Sequence, residues 1–266
     1  MSLDLTTLQN LIRTAAREEL LPRFARIGHS YKADGSVLTE ADLAMDRRLR
    51  QELARHWPEI RFLSEEMEPQ EQARLIQDSE RPLWCLDPLD GTSNFAAGIP
   101  FFGVSLALIE QARVTAGVIY DPCRDENFVA GRDQGALLNQ QPLHGSVSTA
   151  ELHQAIALVD FKRLAPGLRQ RLSQEPPFKS QRNFGSCALE WAWMAAGRGH
   201  VYLHGGQKLW DLAAGSLILE EAGGVCRTLD GETVFNATMA PRSVVSSPDR
   251  ALFDHWNDWL QNTVSA

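Results

Sequence analysis

The sequence predicts one folded unit of mixed α and β structure, with helices laid on an antiparallel sheet and then a more alternating α/β half. Apolar residues make up 44% of the 266 and charged residues 23%, enough apolar surface to offset chain entropy and build a sizeable core. Two runs, Gly103–Ile109 and Val114–Tyr120, alternate and are rich in β-formers, with the polar link Glu110–Arg113 between them, the pattern of a hairpin. After about residue 145, strand-like and helix-like segments alternate. The chain divides into halves 1–144 and 145–266, with no internal repeat and no flexible linker.

Leu8, Ile12, Ala15, Ala16 and Leu20 recur at helical spacing and predict a first helix ending near Pro22. Asp34-Gly35 marks a turn in the polar stretch that follows. Thr39 and Asp42 have the spacing of a capping box, and the helix they start carries Met45, Leu49, Leu53 and Trp57 until Pro58. Ile60–Ser64 reads as a strand, residues 66–82 as an exposed connection or a poorly packed helix, and Leu83–Leu86 as a short buried strand broken by Pro88. Phe128–Ala130 and Ala136–Leu138 extend the antiparallel sheet. The second half reads as strand Ala155–Val159, helices Leu164–Leu172 and Ala188–Ala196, strand Val201–Leu203, and helix Leu212–Ala222 closed by Gly223-Gly224. Strand Ser243–Ser246 and a terminal helix with Trp256 and Trp259 complete it.

With 34 acids against 26 bases the formal net charge is −8, which argues against general nucleic-acid binding. It leaves anionic substrates open if a cation mediates. Four separated cysteines, Cys85, Cys123, Cys187 and Cys226, form no Cys-x-x-Cys pair, so reduced thiols are expected rather than a disulfide framework or zinc site. The amphipathic start lacks a signal-peptide pattern, and apolar runs such as Val104–Ile109 are too short for a bilayer. A cytoplasmic protein with no membrane or nucleic-acid partner is the expectation.

The chemistry concentrates in D-P-L-D-G-T, residues 87–92. Pro88 and the permissive Gly91 let Asp87 and Asp90 face one point, and two such carboxylates repel unless a proton or a cation intervenes. Carboxylate, carbonyl and hydroxyl oxygens together suit a hard cation, and Gly91, Thr92 and Ser93 can open a short helix whose N–H groups favour an anion. Dehalogenase-type phosphatases place their paired aspartates two apart near the chain start; here the spacing is three, well inside the chain, which disfavours an aspartyl-phosphate. Glu65 and Glu66 close a strand, and Asp211 stands at the start of an apolar helix, where capping alone is an adequate role.

Together Ser64–Glu66, Trp84–Phe95, Gly98–Leu108 and Trp210–Gly224 resemble the inositol monophosphatase family of the lithium-sensitive, magnesium-dependent phosphatase superfamily. The resemblance covers nearly the whole chain and implies a layered α-β-α-β-α fold of the type shared with fructose-1,6-bisphosphatases, commonly homodimeric. By position it implies metal ligation by Glu65, Asp87, the Leu89 carbonyl, Asp90 and Asp211, and a water oriented by Glu65 and Thr92. Phosphate would lie on Asp90, Gly91, Thr92 and Asp211. Lys32, Thr39 and Asp42 fall where the family has a mobile lid near a weaker metal site. About two to three Mg²⁺ ions would offset the charge of the acidic cluster. The implied reaction is direct in-line hydrolysis of a phosphomonoester, without a covalent intermediate.

For the substrate rim the resemblance implies Gly185, Ser186 and Cys187, with Asp160 and Lys162 ending a strand where the family presents further contacts. Inositol-specific members carry an acid seven residues before the second-half aspartate; here that position is His204, which can bond a hydroxyl but lacks a carboxylate's charge-assisted acceptance. Residues 32–42 are similar to the histidinol-phosphate and bisphosphate-nucleotide branches, whereas the Asp90–Phe95 continuation resembles the inositol branch. Inositol 1-phosphate leads, with histidinol phosphate, a 3′(2′),5′-bisphosphate nucleotide and fructose 1,6-bisphosphate as alternatives. A non-catalytic regulatory binding protein on the same fold is the alternative of another class. Trp191 and Trp193, two apart on one helix, cannot both face one way, so one is expected in the core and the other at a dimer surface.

Overall fold

The computed structural model describes residues 3–24, 26, 29–31, 37–145 and 151–264. Helix α1 (Leu5–Glu19) is followed by the antiparallel ribbon of β1 (His29–Tyr31) and β2 (Val37–Thr39), then by α2 (Glu40–His56). The predicted capping box is present: Thr39 N–H donates to Asp42 Oδ2 (2.7 Å) and Ala41 N–H to Thr39 Oγ1 (3.2 Å). A seven-stranded sheet then forms from β3 (Arg61–Ser64), β4 (Leu83–Asp90), β5 (Gly103–Glu110), β6 (Arg113–Asp121), β7 (Glu126–Gly131), β8 (Ala136–Leu138) and β9 (Gln141–Leu143), in that spatial order. Only β3 and β4 are parallel. Helix α3 (Pro69–Gln77) lies between them in sequence, and the short α4 (Thr92–Ala97) follows β4.

The second sheet has the order β11–β10–β12–β14–β13, from β10 (Ile156–Asp160), β11 (Ser180–Arg182), β12 (Val201–Gln207), β13 (Val225–Arg227) and β14 (Arg242–Ser247). Its helices are α5 (Pro166–Gln174), α6 (Cys187–Ala195), α7 (Leu209–Glu221) and α8 (Arg250–Val264). Side-chain alternation along each strand feeds two cores per sheet. Trp84, Leu86, Val104 and Leu106 meet α1 and α2 through Leu8, Ile12, Met45 and Leu49. Cys85, Ala107, Ile119 and Phe128 meet Leu189, Trp191, Leu212 and Leu217 of α6 and α7, which also cover Leu158, Tyr202 and Val244 of the second sheet. The far face of that sheet packs Val159, Leu203 and Val245 on Leu172, Leu252 and Trp256 of α5 and α8. These are the five expected α-β-α-β-α layers. Among the described residues no helix is long and apolar enough to cross a membrane.

Three details differ from the sequence reading. Of the two readings of residues 66–82 the helix holds, as α3, and it is better packed than expected, with Gln72 and Ile76 buried. The strand predicted to end at Leu86 continues to Asp90, because Pro88 sits in a bulge where the ladder is interrupted anyway. The unpredicted β9, β11 and β13 are three-residue strands, each at a sheet edge, where one neighbour is missing and little apolar pattern is needed.

Candidate active site

That bulge makes the site. In a regular strand, residues three apart point to opposite faces. Asp87 pairs with Ser105 and Asp90 with Gly103, so Pro88 and Leu89 stand opposite the single Val104. The extra residue returns both aspartates to one side. Asp211, at the third position of α7, completes a triad whose carboxylate oxygens lie within 4.8 Å of one another. The helix expected from Leu212 with Asp211 as its cap starts three residues earlier: α7 begins at Leu209, and the Asp211 carboxylate accepts the Lys208 N–H (2.8 Å). Ser105 Oγ donates to Trp210 O (3.0 Å), tying the start of α7 to the bulged strand pair.

Nothing cationic in the chain neutralises this triad at contact distance among the described residues. Burial, followed by the charges of Glu65, Asp90 and Asp211, pushes Asp87 well above the usual carboxylate range. Asp211 is pushed up by burial and then by Asp90 and Glu65. Burial raises Asp90 to about 6, although the Ser186 hydroxyl (2.5 Å) and the Ala188 N–H (2.6 Å) both donate to its Oδ2. Three clustered carboxylates that resist ionisation, two of them buried and Asp211 partly so, are the donor set of a hard divalent cation, which makes all three charges favourable. The residues therefore fit a Mg²⁺-type centre.

Glu65 borders the triad, near enough for its charge to act on all three aspartates, but outside the 4.8 Å cluster. Its backbone is fixed by Glu65 N–H to Leu86 O (3.1 Å) and by Gln72 Nε2, which donates to Ser64 O (2.8 Å) and Glu65 O (3.2 Å). Thr92 Oγ1 lies 2.9 Å from Leu89 O and 3.1 Å from Asp42 Oδ1, and its single proton serves one acceptor at a time. Thr39 and Asp42 are buried, and Asp42 is raised by burial against the opposing Thr39 hydrogen bonds. Lys32 lies outside the described residues. Gly91 turns the strand into α4 at φ +89°, and a Cβ there would meet Phe101 O at 3.0 Å, so the position requires glycine.

Ser186 and Cys187 stand at the start of α6, Ser186 committed to Asp90 rather than open to a ligand. Burial raises the partly exposed Cys187 thiol far above its ordinary range, and Asp211 and Asp90 add to it, which keeps the thiol protonated. Gly185 precedes them in the left-handed region (φ +77°), its N–H donating to Asn183 Oδ1 (3.1 Å). His204 departs from expectation. It is 4% exposed, its Nδ1 accepts the Gly206 N–H (3.1 Å), and its Nε2 faces Asp160 Oδ2 (3.2 Å). Both ring nitrogens are engaged within the protein, so neither is free to bond a substrate hydroxyl.

Sequence reasoning missed Glu190 and Asn94. Glu190, raised by burial to about 7, accepts the Phe184 N–H (2.7 Å) and holds the loop before Ser186. Behind it, Trp191 Nε1 donates to Gln207 Oε1 (2.8 Å) and Gln207 Nε2 to the Tyr202 hydroxyl (2.5 Å). Asn94 Nδ2 reaches Phe184 O (2.7 Å) and Phe101 O (2.8 Å), fixing the same loop to α4. A lone acid on the otherwise apolar helix Cys187–Ala195 was the available signal for Glu190. Of the two tryptophans, Trp191 is fully buried against Tyr202, and Trp193 is partly buried beside Phe101 and Phe184.

The model of the inositol monophosphatase family matches residues 4–263. The chain belongs to the inositol monophosphatase family. It is, accordingly, a phosphoric monoester hydrolase. The inositol-1-monophosphatase of Mesorhizobium japonicum is 35% identical over 209 residues, covering 76% of each chain. A relative called Nus factor SuhB, from Xylella fastidiosa, is 34% identical over 220 residues, 79% of this chain and 74% of that one. Among solved structures, Thermotoga maritima IMPase superposes with a TM-score of 0.83 at 26% identity, covering 98% of both chains. SaIMPase-II, solved with inositol monophosphate bound, gives 0.80 at 25% identity over 98% of this chain and 96% of that one.

Proposed function

We propose that this inositol monophosphatase family member is a Mg²⁺-dependent phosphomonoesterase acting on a small polyol or sugar phosphate, with inositol 1-phosphate as the first substrate to test. The observation that carries the reading is the triad of Asp87, Asp90 and Asp211, two buried and the third partly buried, which brings one carboxylate oxygen from each within 4.8 Å of the others. These three, with the Leu89 carbonyl and Glu65 at the border, would hold the metal. Bound Mg²⁺ supplies Lewis-acid neutralisation of the phosphoryl oxygens and a lowered pKa for a bound water. Glu65 and Thr92 orient the attacking water: with its proton directed to Leu89 O or Asp42 Oδ1, Thr92 Oγ1 presents lone pairs to accept from it. The backbone from Gly91 into α4 faces the phosphate. Water oxygen attacks phosphorus in line, the ester P–O bond breaks, the leaving oxygen takes up the proton that the water gives up, and phosphate and the free alcohol are released with no side chain phosphorylated.

The binding of inositol monophosphate by SaIMPase-II supports a polyol phosphate. A second reading, a regulatory binding role on the same fold, draws on the Nus factor name of the Xylella relative. The full set of expected ligands favours catalysis. The test is phosphate release from a panel of inositol 1-phosphate, histidinol phosphate, 3′-phosphoadenosine 5′-phosphate and fructose 1,6-bisphosphate with Mg²⁺, repeated with Li⁺ and with EDTA. Activity that requires Mg²⁺ and falls with Li⁺ is expected; activity indifferent to EDTA would overturn the metal mechanism.

A further inference from the structure

The wall facing the triad across Cys187 carries a second feature that the phosphoryl chemistry does not use. Asp160 ends β10, directly beside His204 on the parallel β12. Because His204 Nδ1 accepts the Gly206 N–H, the ring proton is on Nε2 and points at Asp160 Oδ2, 3.2 Å away. The other Asp160 oxygen accepts the Lys162 N–H at 2.8 Å. Burial opposes ionisation of Asp160, but the hydrogen bond from His204, the Lys162 N–H and the charge of Arg163 outweigh it, and its pKa lies below the ordinary value. Asp160 is thus an ionised carboxylate fixed from two sides. It offers about four lone-pair positions, of which these bonds use one on each oxygen.

The arrangement is joined to the metal centre by short steps. Cys187 Sγ sits 3.7 Å from His204 Nε2, and the same cysteine feels the charges of Asp211, Asp90 and Asp160. The next residue along, Ala188, donates its N–H to Asp90. The backbone around Gly205 is pressed against the turn after Asp160 so closely that a Cβ there would lie 1.8 Å from Arg163 O. This contact fixes the two strand ends relative to one another. The side chain of Asp160 retains 17% exposure although His204 is sealed.

We propose that Asp160, oriented by His204, is the specificity-determining acceptor for a hydroxyl of the substrate's non-phosphate half. His204 is a positioning residue rather than a ligand. An ionised acceptor rewards a donor and repels an anion, so the chemical class favoured is a neutral polyhydroxy monophosphate. A substrate bearing a second phosphate or a carboxylate on that side is disfavoured. The inference rests on the phosphomonoesterase reading and deepens it.

The test compares the parent with Asp160→Ala, Asp160→Asn and His204→Leu at saturating Mg²⁺ on inositol 1-phosphate, phenyl phosphate and fructose 1,6-bisphosphate. Loss of a charge-assisted hydrogen bond predicts that KM for inositol 1-phosphate rises about 10- to 100-fold in both Asp160 variants, with kcat changed less than about 3-fold. His204→Leu should move the same KM in the same direction. Phenyl phosphate, which has no hydroxyl to read, should keep its kcat/KM within about 2-fold. Equal losses on inositol 1-phosphate and phenyl phosphate, no loss on either, or a parent that prefers the bisphosphate would each overturn the proposal while leaving the phosphatase reading intact. A parent that releases phosphate from none of the three overturns both.

Discussion

Replacing Asp90 by Asn separates what the metal-free triad costs from what it does. In the absence of metal, Asp90 has a folded-state pKa of about 6 against an ordinary 3.8, because burial disfavours its charge. A raised folded pKa means that the folded protein binds the proton more tightly. The associated stability is therefore complete below about pH 4, is lost as pH rises to about 6, and stays lost above it. The difference of about 2 units corresponds to ~3 kcal/mol. Asparagine has the shape of the protonated acid and avoids that cost. In EDTA, the Asp90→Asn variant should match the parent in stability near pH 4 and exceed it by ~3 kcal/mol at pH 7, or ~6–12 °C in Tm for a chain of this size. Mg²⁺ at about 100 times its Kd should return ~2.7 kcal/mol to the parent and much less to the variant. Turnover by the variant should be abolished. Thermal and urea unfolding at the two pH values, with EDTA or Mg²⁺, provide the measurement. A variant that is less stable than the parent at pH 7 in EDTA, and gains as much from Mg²⁺, would refute the reasoning.

Three further outcomes follow from individual contacts. Thr92→Val removes the hydroxyl shared between Leu89 O and Asp42 Oδ1; kcat should fall about 100-fold or more with the fold retained, as read by steady-state kinetics and circular dichroism. Gly91→Ala forces a side chain into φ +89° and against Phe101 O; it should lower stability by ~1–3 kcal/mol in urea unfolding and reduce activity as well. Cys187, whose thiol is raised far above its ordinary pKa by burial, should resist iodoacetamide at pH 8 in the folded protein and react on unfolding, which peptide mass mapping would show.

How much of this was legible depended on how local the cause is. The Thr39–Asp42 cap and the Gly91 turn into a short helix are encoded within a few residues, and both appear as read. The period-2 pattern located both central hairpin strands, since each face of the sheet packs on a different helical layer. Pro88 misled because a proline is normally a strand breaker; only the partner β5, remote in sequence, shows that the lost ladder bond coincides with a bulge. His204 misled for the same reason. Its imidazole looked available until β10 brought Asp160 beside it and the Gly206 amide took the other nitrogen. The Ser186–Asp90 bond spans 96 positions of sequence, and no local pattern announces it.

The central claim is that Asp87, Asp90 and Asp211 form one divalent-metal centre. Calorimetric titration of the metal-free protein with Mg²⁺, in two buffers of different ionisation enthalpy near pH 6, tests it most directly. Because the triad's carboxylates are held above their ordinary range, binding should release protons, and the apparent enthalpy should differ between buffers. Asp87→Asn and Asp211→Asn should each weaken binding by at least about 10-fold and diminish the proton release. Mg²⁺ binding with unchanged affinity in both variants, or none detectable in the parent, would contradict it.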